Sequence, residues 1–178
     1  MTGAGFRTMK FTKVAMAALM MAMMTGSGRA DTATLTINVN FTRPSCNISV
    51  PSSYSLGDLV PGETGKEHPP LEITWRCEGN TPLNTALTAA VRAPSGGLEG
   101  DGKVYLITDS HQRTGVTLSL REKTSDNLIK LTGTEKFCSD TEGTTGMRTC
   151  TLTPVTDVSR GSVLGNASAT LCFEVKYE

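Results

Sequence analysis

Leu71, Ile73, Trp75 and Cys77 alternate with Glu72, Thr74 and Arg76, and near the C-terminus Leu171, Phe173, Val175 and Tyr177 alternate with Thr170, Cys172, Glu174 and Lys176. Successive side chains of a strand point to opposite faces, so a period of two gives each segment one apolar and one polar face. A third run has the same form: Ala33, Leu35, Ile37, Val39 and Phe41 on one face, Thr34, Thr36, Asn38 and Asn40 on the other. No segment sustains a 3.6-residue period. That excludes helix bundles and alternating α/β layers and predicts an all-β sandwich.

Turn formers mark out further strands between these runs. Strands are expected at residues 46–50, 56–60, 87–91 and 104–107, the last two flanking Pro94, Gly96, Gly97 and the Gly100-Asp101-Gly102 turn. Val116, Leu118 and Leu120 alternate with Thr117, Ser119 and Arg121, and after a polar turn at 123–127 residues 128–131 return, which predicts a hairpin. One more strand is expected at 149–155. Val163, Gly165, Ala167 and Ala169 continue the phase of the last strand upstream. Residues 139–146, made of Thr, Gly and acids, are expected to form an exposed flexible loop.

The first 30 residues differ in kind from the rest. They hold seven of the eight methionines, four cations (Arg7, Lys10, Lys13 and Arg29) and no acid. A basic stretch ending at Lys13, an apolar run over 14–24 and the small-residue exit Gly28-Arg29-Ala30 read as a secretory signal cleaved after Ala30, leaving residues 31–178 as the mature chain. The apolar run is about 11 residues, too short to span a bilayer, so no transmembrane segment is expected. With those four cations set aside, 13 remain against 17 acids. A mildly acidic domain without a Lys/Arg cluster has no electrostatic reason to bind nucleic acid.

The five cysteines all follow residue 30, and in an exported chain they imply disulfides with one thiol left over. Alternation places Cys77 on the buried face with Trp75. Cys138 and Cys150 bracket an 11-residue polar loop, and a bridge closing it is expected, contributing about 2–4 kcal/mol. Cys172 lies on the opposite face from Leu171 and Phe173; it is either a free thiol or an alternative partner in that second bridge. Zinc is not expected, because the spacing is not CxxC-like and thiols oxidise in this compartment.

On alternation alone, residues 33–41 are either an ordinary first strand or a strand used elsewhere. The order of features along the chain bears on this choice: the alternating stretch Leu35 to Phe41, Cys46, Cys77, Gly165 and the penultimate Tyr177, together with Ser55-Leu56-Gly57-Asp58-Leu59 and residues 115–120. This combination, spread over the whole mature chain, resembles the chaperone-usher pilin subunits. The resemblance implies an incomplete immunoglobulin-like Greek-key sandwich of six strands. It implies a Cys46–Cys77 bridge, a donor strand presenting Leu35, Ile37, Val39 and Phe41, and a last strand whose Gly165, Leu171, Phe173, Val175 and Tyr177 line a groove and meet the chaperone. The corresponding division is a signal peptide at 1–30, a donor-strand extension at 31–45 and a pilin domain at 46–178. Implied partners are a periplasmic pilus chaperone, an outer-membrane usher and neighbouring pilins, on the way to a cell-surface fimbrium. One departure stands out: where many relatives place a glycine in the donor strand, this chain has Val39.

Elementary energetics gives the implied assembly a reason. An open strand edge beside an apolar groove invites strand addition. Burying four large apolar side chains at about 1.5–3 kcal/mol each contributes about 6–12 kcal/mol, comparable with the stability of a whole domain. Val39 and the additional cysteines favour a minor or adaptor subunit. The alternative is a tip subunit that itself binds a host glycan or protein receptor. An enzyme is not expected and no cofactor is implied: His68 and His111 lie in Pro-rich or polar stretches, are expected at the surface, and are remote in sequence from any apolar element bearing a nucleophile. Asp101-Gly102 and Asp109-Ser110 read as turns.

Overall fold

The computed structural model describes residues 36–38 and 44–178. The expected signal at 1–30 lies outside these, as do Leu35, Val39 and Phe41. Residues 44–178 belong to one compact unit that contains every described strand and, among the described residues, no helix.

The larger sheet is built on β8 (Arg148–Val158), which pairs antiparallel with β3 (Leu71–Cys77) on one edge and β7 (Arg113–Glu122) on the other. Beyond β3 lies β1 (Cys46–Ser49). Beyond β7 lie β6 (Lys103–Ile107) and β5 (Leu98–Glu99). The two-residue β2 (Lys66–Glu67) pairs with the far end of β8. A second sheet consists of β4 (Thr85–Arg92) and β9 (Thr170–Tyr177), antiparallel over all eight residues. The all-β expectation holds; against the six strands the resemblance implies, the described residues form seven strands of four residues or more, with β2 and β5 as two-residue pieces at the sheet margins.

β3 follows its alternation closely. Leu71, Ile73, Trp75 and Cys77 are buried, and Glu72 and Arg76 are exposed. They pack against Leu87 and Ala89 of β4 and Val104, Leu120, Leu131 and Leu152 to form the core between the sheets. The Trp75 indole would leave a polar N–H unpaired in that core, and it donates to Thr85 Oγ1 at 2.9 Å, tying one sheet to the other.

Three local expectations give way to long-range partners. Residues 128–131 make only one rung of the hairpin, with Ile129 N–H donating to Leu120 C=O; the chain then crosses between the sheets, because Ile129 and Leu131 bury their side chains in the core. Residues 131–137 consequently run along the outer edge of β4, where Leu87 and Phe137 exchange both backbone hydrogen bonds. Residues 56–60 form no strand, and Leu56 and Leu59 instead turn inward against Leu106, Val116 and Val158. Residues 139–146 are surface but pinned. Buried Arg148 donates to the Asp140 carboxylate at 2.9 Å and to the carbonyls of Leu83 and Thr144, and Asp140 N–H donates to Thr85 C=O.

Candidate functional site

Among the described residues β9 has a strand partner on one side, β4. On β4, the backbone groups of Leu87, Ala89 and Val91 face residues 131–137. By alternation, those of Ala86, Thr88 and Ala90 face β9, where their partners are Lys176, Glu174 and Cys172. The N–H and C=O groups of Leu171, Phe173 and Val175 therefore turn to the opposite edge, along which no strand pairs among the described residues, whereas the Tyr177 carbonyl accepts from Lys136 Nζ at 3.2 Å. The same three residues pack their side chains against the core yet are only partly buried, and Tyr177 at the end of the row is 36% exposed. An apolar row and a row of unmade backbone hydrogen bonds thus lie along one line.

Beside that edge runs a groove of about 830 Å³ between β9 and residues 50–59. Leu71, Leu118 and Leu120 of the large sheet line its base; Leu56 and Leu59 line the far wall; Gly165 and the residues leading into β9 line one end. Gly165 has φ +127°, a backbone conformation that favours glycine, and a Cβ there would meet open space, so its requirement is conformational. At the other end the Tyr177 hydroxyl donates to the Pro44 carbonyl, joining the end of β9 to the start of β1.

Asp58 is the charged residue in the groove's lining, and two ion pairs lie outside that lining. Lys103 and Asp157 meet at 2.7 Å; the Lys103 hydrogen bond, with a second from Gly65 N–H, holds the Asp157 carboxyl below its usual range, and Asp157 in turn raises Lys103. Lys66 meets Glu63 at 3.1 Å and lowers its pKa. His68 corrects an expectation: it is buried, 8% exposed, where the sequence suggested a surface residue. Pairing of β2 with β8 draws it inward, its backbone N–H donating to Pro154 C=O and its Nε2 lying 2.8 Å from Thr156 Oγ1. Burial, with Lys66 beside it, pushes its pKa down. His111, in contrast, is exposed.

Of the donor set, only Ile37 lies among the described residues, and its side chain is 76% exposed. The structure joins Cys46 to Cys77, which are direct cross-strand partners on β1 and β3, and Cys138 to Cys150. Cys172 is unpaired and exposed on the face of β9 away from the core, which resolves the alternative left open for it. Four residues escaped the alternation pattern: the inward-turned Leu56 and Leu59, buried His68, and Arg148. Each depends on partners distant in the chain, and only the Leu56/Leu59 spacing carried any local signal.

These features define a class first: a β-sandwich with, among the described residues, an open strand edge beside a groove whose base is lined by leucines. No family model matches the chain, and no curated protein matches it. Among solved structures it is similar to a chaperone-usher pilus whose structure reveals the molecular basis of rod uncoiling, with 16% identity, coverage of 83% of this chain and 96% of that one, and a TM-score of 0.51. It is also similar to the P pilus rod subunit PapA, with 19% identity, coverage of 75% of this chain and 99% of that one, and a TM-score of 0.50. The fold is the immunoglobulin-like fold of chaperone-usher pilus subunits.

Proposed function

We propose that this chain is a structural subunit of a chaperone-usher fimbrium that polymerises by donor-strand exchange. The observation that carries the reading is the outer edge of β9, where unmade backbone hydrogen bonds coincide with half-buried Leu171, Phe173 and Val175 above a groove of about 830 Å³. A strand with apolar side chains at every second position supplies both missing halves, backbone groups for the edge and side chains for the groove. Residues 35–41 have that form, so each subunit gives Leu35, Ile37, Val39 and Phe41 to a neighbour and receives the equivalent strand from another.

On this reading the chain is exported with cleavage after Ala30, is held in the periplasm by a pilus chaperone covering the β9 edge, passes through an outer-membrane usher, and ends in the surface fimbrium. Residues 31–45 form the donor extension and residues 46–178 the pilin domain. Val39 in the donor strand and the second disulfide support a minor or adaptor subunit that contributes to adhesion through fibre assembly.

The test is complementation. Residues 43–178 alone should unfold at low denaturant, and a synthetic peptide of residues 33–43, or the same segment fused after Glu178, should raise the midpoint sharply. High stability of residues 43–178 without any added strand would overturn the proposal.

A further inference from the structure

The groove beside β9 has two unlike ends. At one, the Tyr177 hydroxyl holds the Pro44 carbonyl and β1 begins beside it. From there the chain passes along the wall to the other end, where Leu56, Leu59 and Ala169 pack on one cluster of Leu106, Val116 and Val158. This far end also carries Asp58, the single charged side chain in the lining among the described residues, near Asn166 and Ser168. The Asp58 backbone carbonyl accepts from Lys66 Nζ at 3.2 Å, but among the described residues its carboxylate has no ion pair and no hydrogen bond. Lys66 is engaged by Glu63 at 3.1 Å instead.

We infer that Asp58 is a specificity-determining residue of the groove, selecting a strand followed by a basic residue, and that the occupant it fits is the extension of a second copy of this chain, through Arg43. The inference rests on the groove being a strand acceptor, not on how many copies a fibre holds. Direction comes first. The Tyr177 end is filled by the acceptor's own chain at Pro44, so the body of a donor subunit finds room beyond Gly165. An incoming strand then starts at Tyr177 and leaves at Ala169, antiparallel to β9, as every ladder in the described fold is antiparallel. Register comes second. Setting Leu35, Ile37, Val39 and Phe41 against Tyr177, Val175, Phe173 and Leu171 brings residue 43, on the same face of the donated strand, to Ala169. Residue 43 is Arg, and the end of the groove it reaches is the one that holds Asp58. A slide of two residues deeper would press the guanidinium against Leu171, an unpaired charge on an apolar wall. The pair therefore rewards one register and one direction, which is what complementary charge at an interface supplies more than raw affinity.

The test joins residues 33–43 to the mature chain 31–178 through a short Gly-Ser linker after Glu178, where a strand of this direction begins. Folding constants are read from urea unfolding at neutral pH. Asp58→Asn, and Arg43→Gln in the appended strand, should each lower the constant about three- to fivefold, and either change should add little once the other is made. Salt of about 1 M should shrink both losses, since it screens charges beyond roughly 3 Å. Exchanging the charges, Asp58→Arg with Arg43→Asp in the appended strand, should recover most of what either reversal loses alone. Moving the arginine to the other end of the appended strand, Ala33→Arg with Arg43→Ala, should abolish the dependence on Asp58. A raised urea midpoint whose two losses simply add, with no recovery on charge exchange, overturns the pair and leaves the strand acceptor standing. An appended strand that raises the midpoint in none of its forms retires the strand acceptor, and the pair with it.

Discussion

β3 and β9 carry the same sequence signature, four core-facing positions at a period of two ending on a residue that ties the strand to the N-terminal segment, and they meet opposite fates. β3 lies between β1 and β8, and Leu71, Ile73, Trp75 and Cys77 are 8%, 0%, 2% and 5% exposed. Among the described residues β9 has β4 on one side and no strand on the other, and its Leu171, Phe173 and Val175 remain partly buried. Alternation therefore specifies which face of a strand is apolar, and a neighbour on each edge decides whether that face is closed from water. The difference between the two strands is the space a further strand would fill.

The sharpest way to break the comparison is to cut the same kind of side chain from each strand. Trp75→Ala should cost about 3–5 kcal/mol in urea unfolding, with or without a fused donor strand, because it opens a cavity and leaves the Thr85 hydroxyl without its partner. Phe173→Ala should cost about half as much in the uncomplemented domain and approach the same 3–5 kcal/mol once a donor strand covers it. Equal costs for Phe173→Ala in both states would mean that β9 is already closed.

The next effect removes what covers β3. Replacing Cys46 and Cys77 together by Ser should cost about 2–4 kcal/mol and expose the β3 edge to amide exchange, making it behave more like β9. Gly165→Ala, at φ +127°, should cost on the order of 1–3 kcal/mol and reduce donor-peptide affinity without altering the β3 core. The smallest effect concerns the ion pair that joins β6 to β8. Asp157 has a lowered pKa, so its contribution is present above the unfolded carboxylate pKa of about 3.9 and is lost as pH falls through the folded value. Lys103→Met should remove most of that acid dependence, by a small amount because both side chains are about a third exposed.

Much of this fold is legible in the sequence because its signal is local. The runs at 71–77, 116–121 and 170–177 each carry their facing within a few residues, and the structure places strands there. Residues 128–131 defeated local reading because what Ile129 and Leu131 gain in the core outweighs completion of a hairpin. The loop at 139–146 reads as mobile from its Thr and Gly, but one buried guanidinium at Arg148 recruits its carbonyls and the Asp140 carboxylate, and nothing in the composition signals that. His68 was misplaced for the same reason: two residues of β2 pairing with a strand nearly 90 residues later decide its burial. At the site itself the apolar residues of β9 were visible, while the open edge is a property of topology.

The Cys46–Cys77 bridge also determines where tension travels. Under the proposed assembly, a subunit pulled by residues 31–45 would receive the load at Ser45, and the next covalent step outward from Cys46 leads through sulfur directly to Cys77 in the large sheet. Residues 47–76 lie in a covalent loop off that path, and with them the Leu56/Leu59 wall, β2 and His68. In such a fibre, hauling on the extension would strain the joint with the neighbour and the body of the sandwich, while the segment that shapes the groove would hang slack beside the line of force.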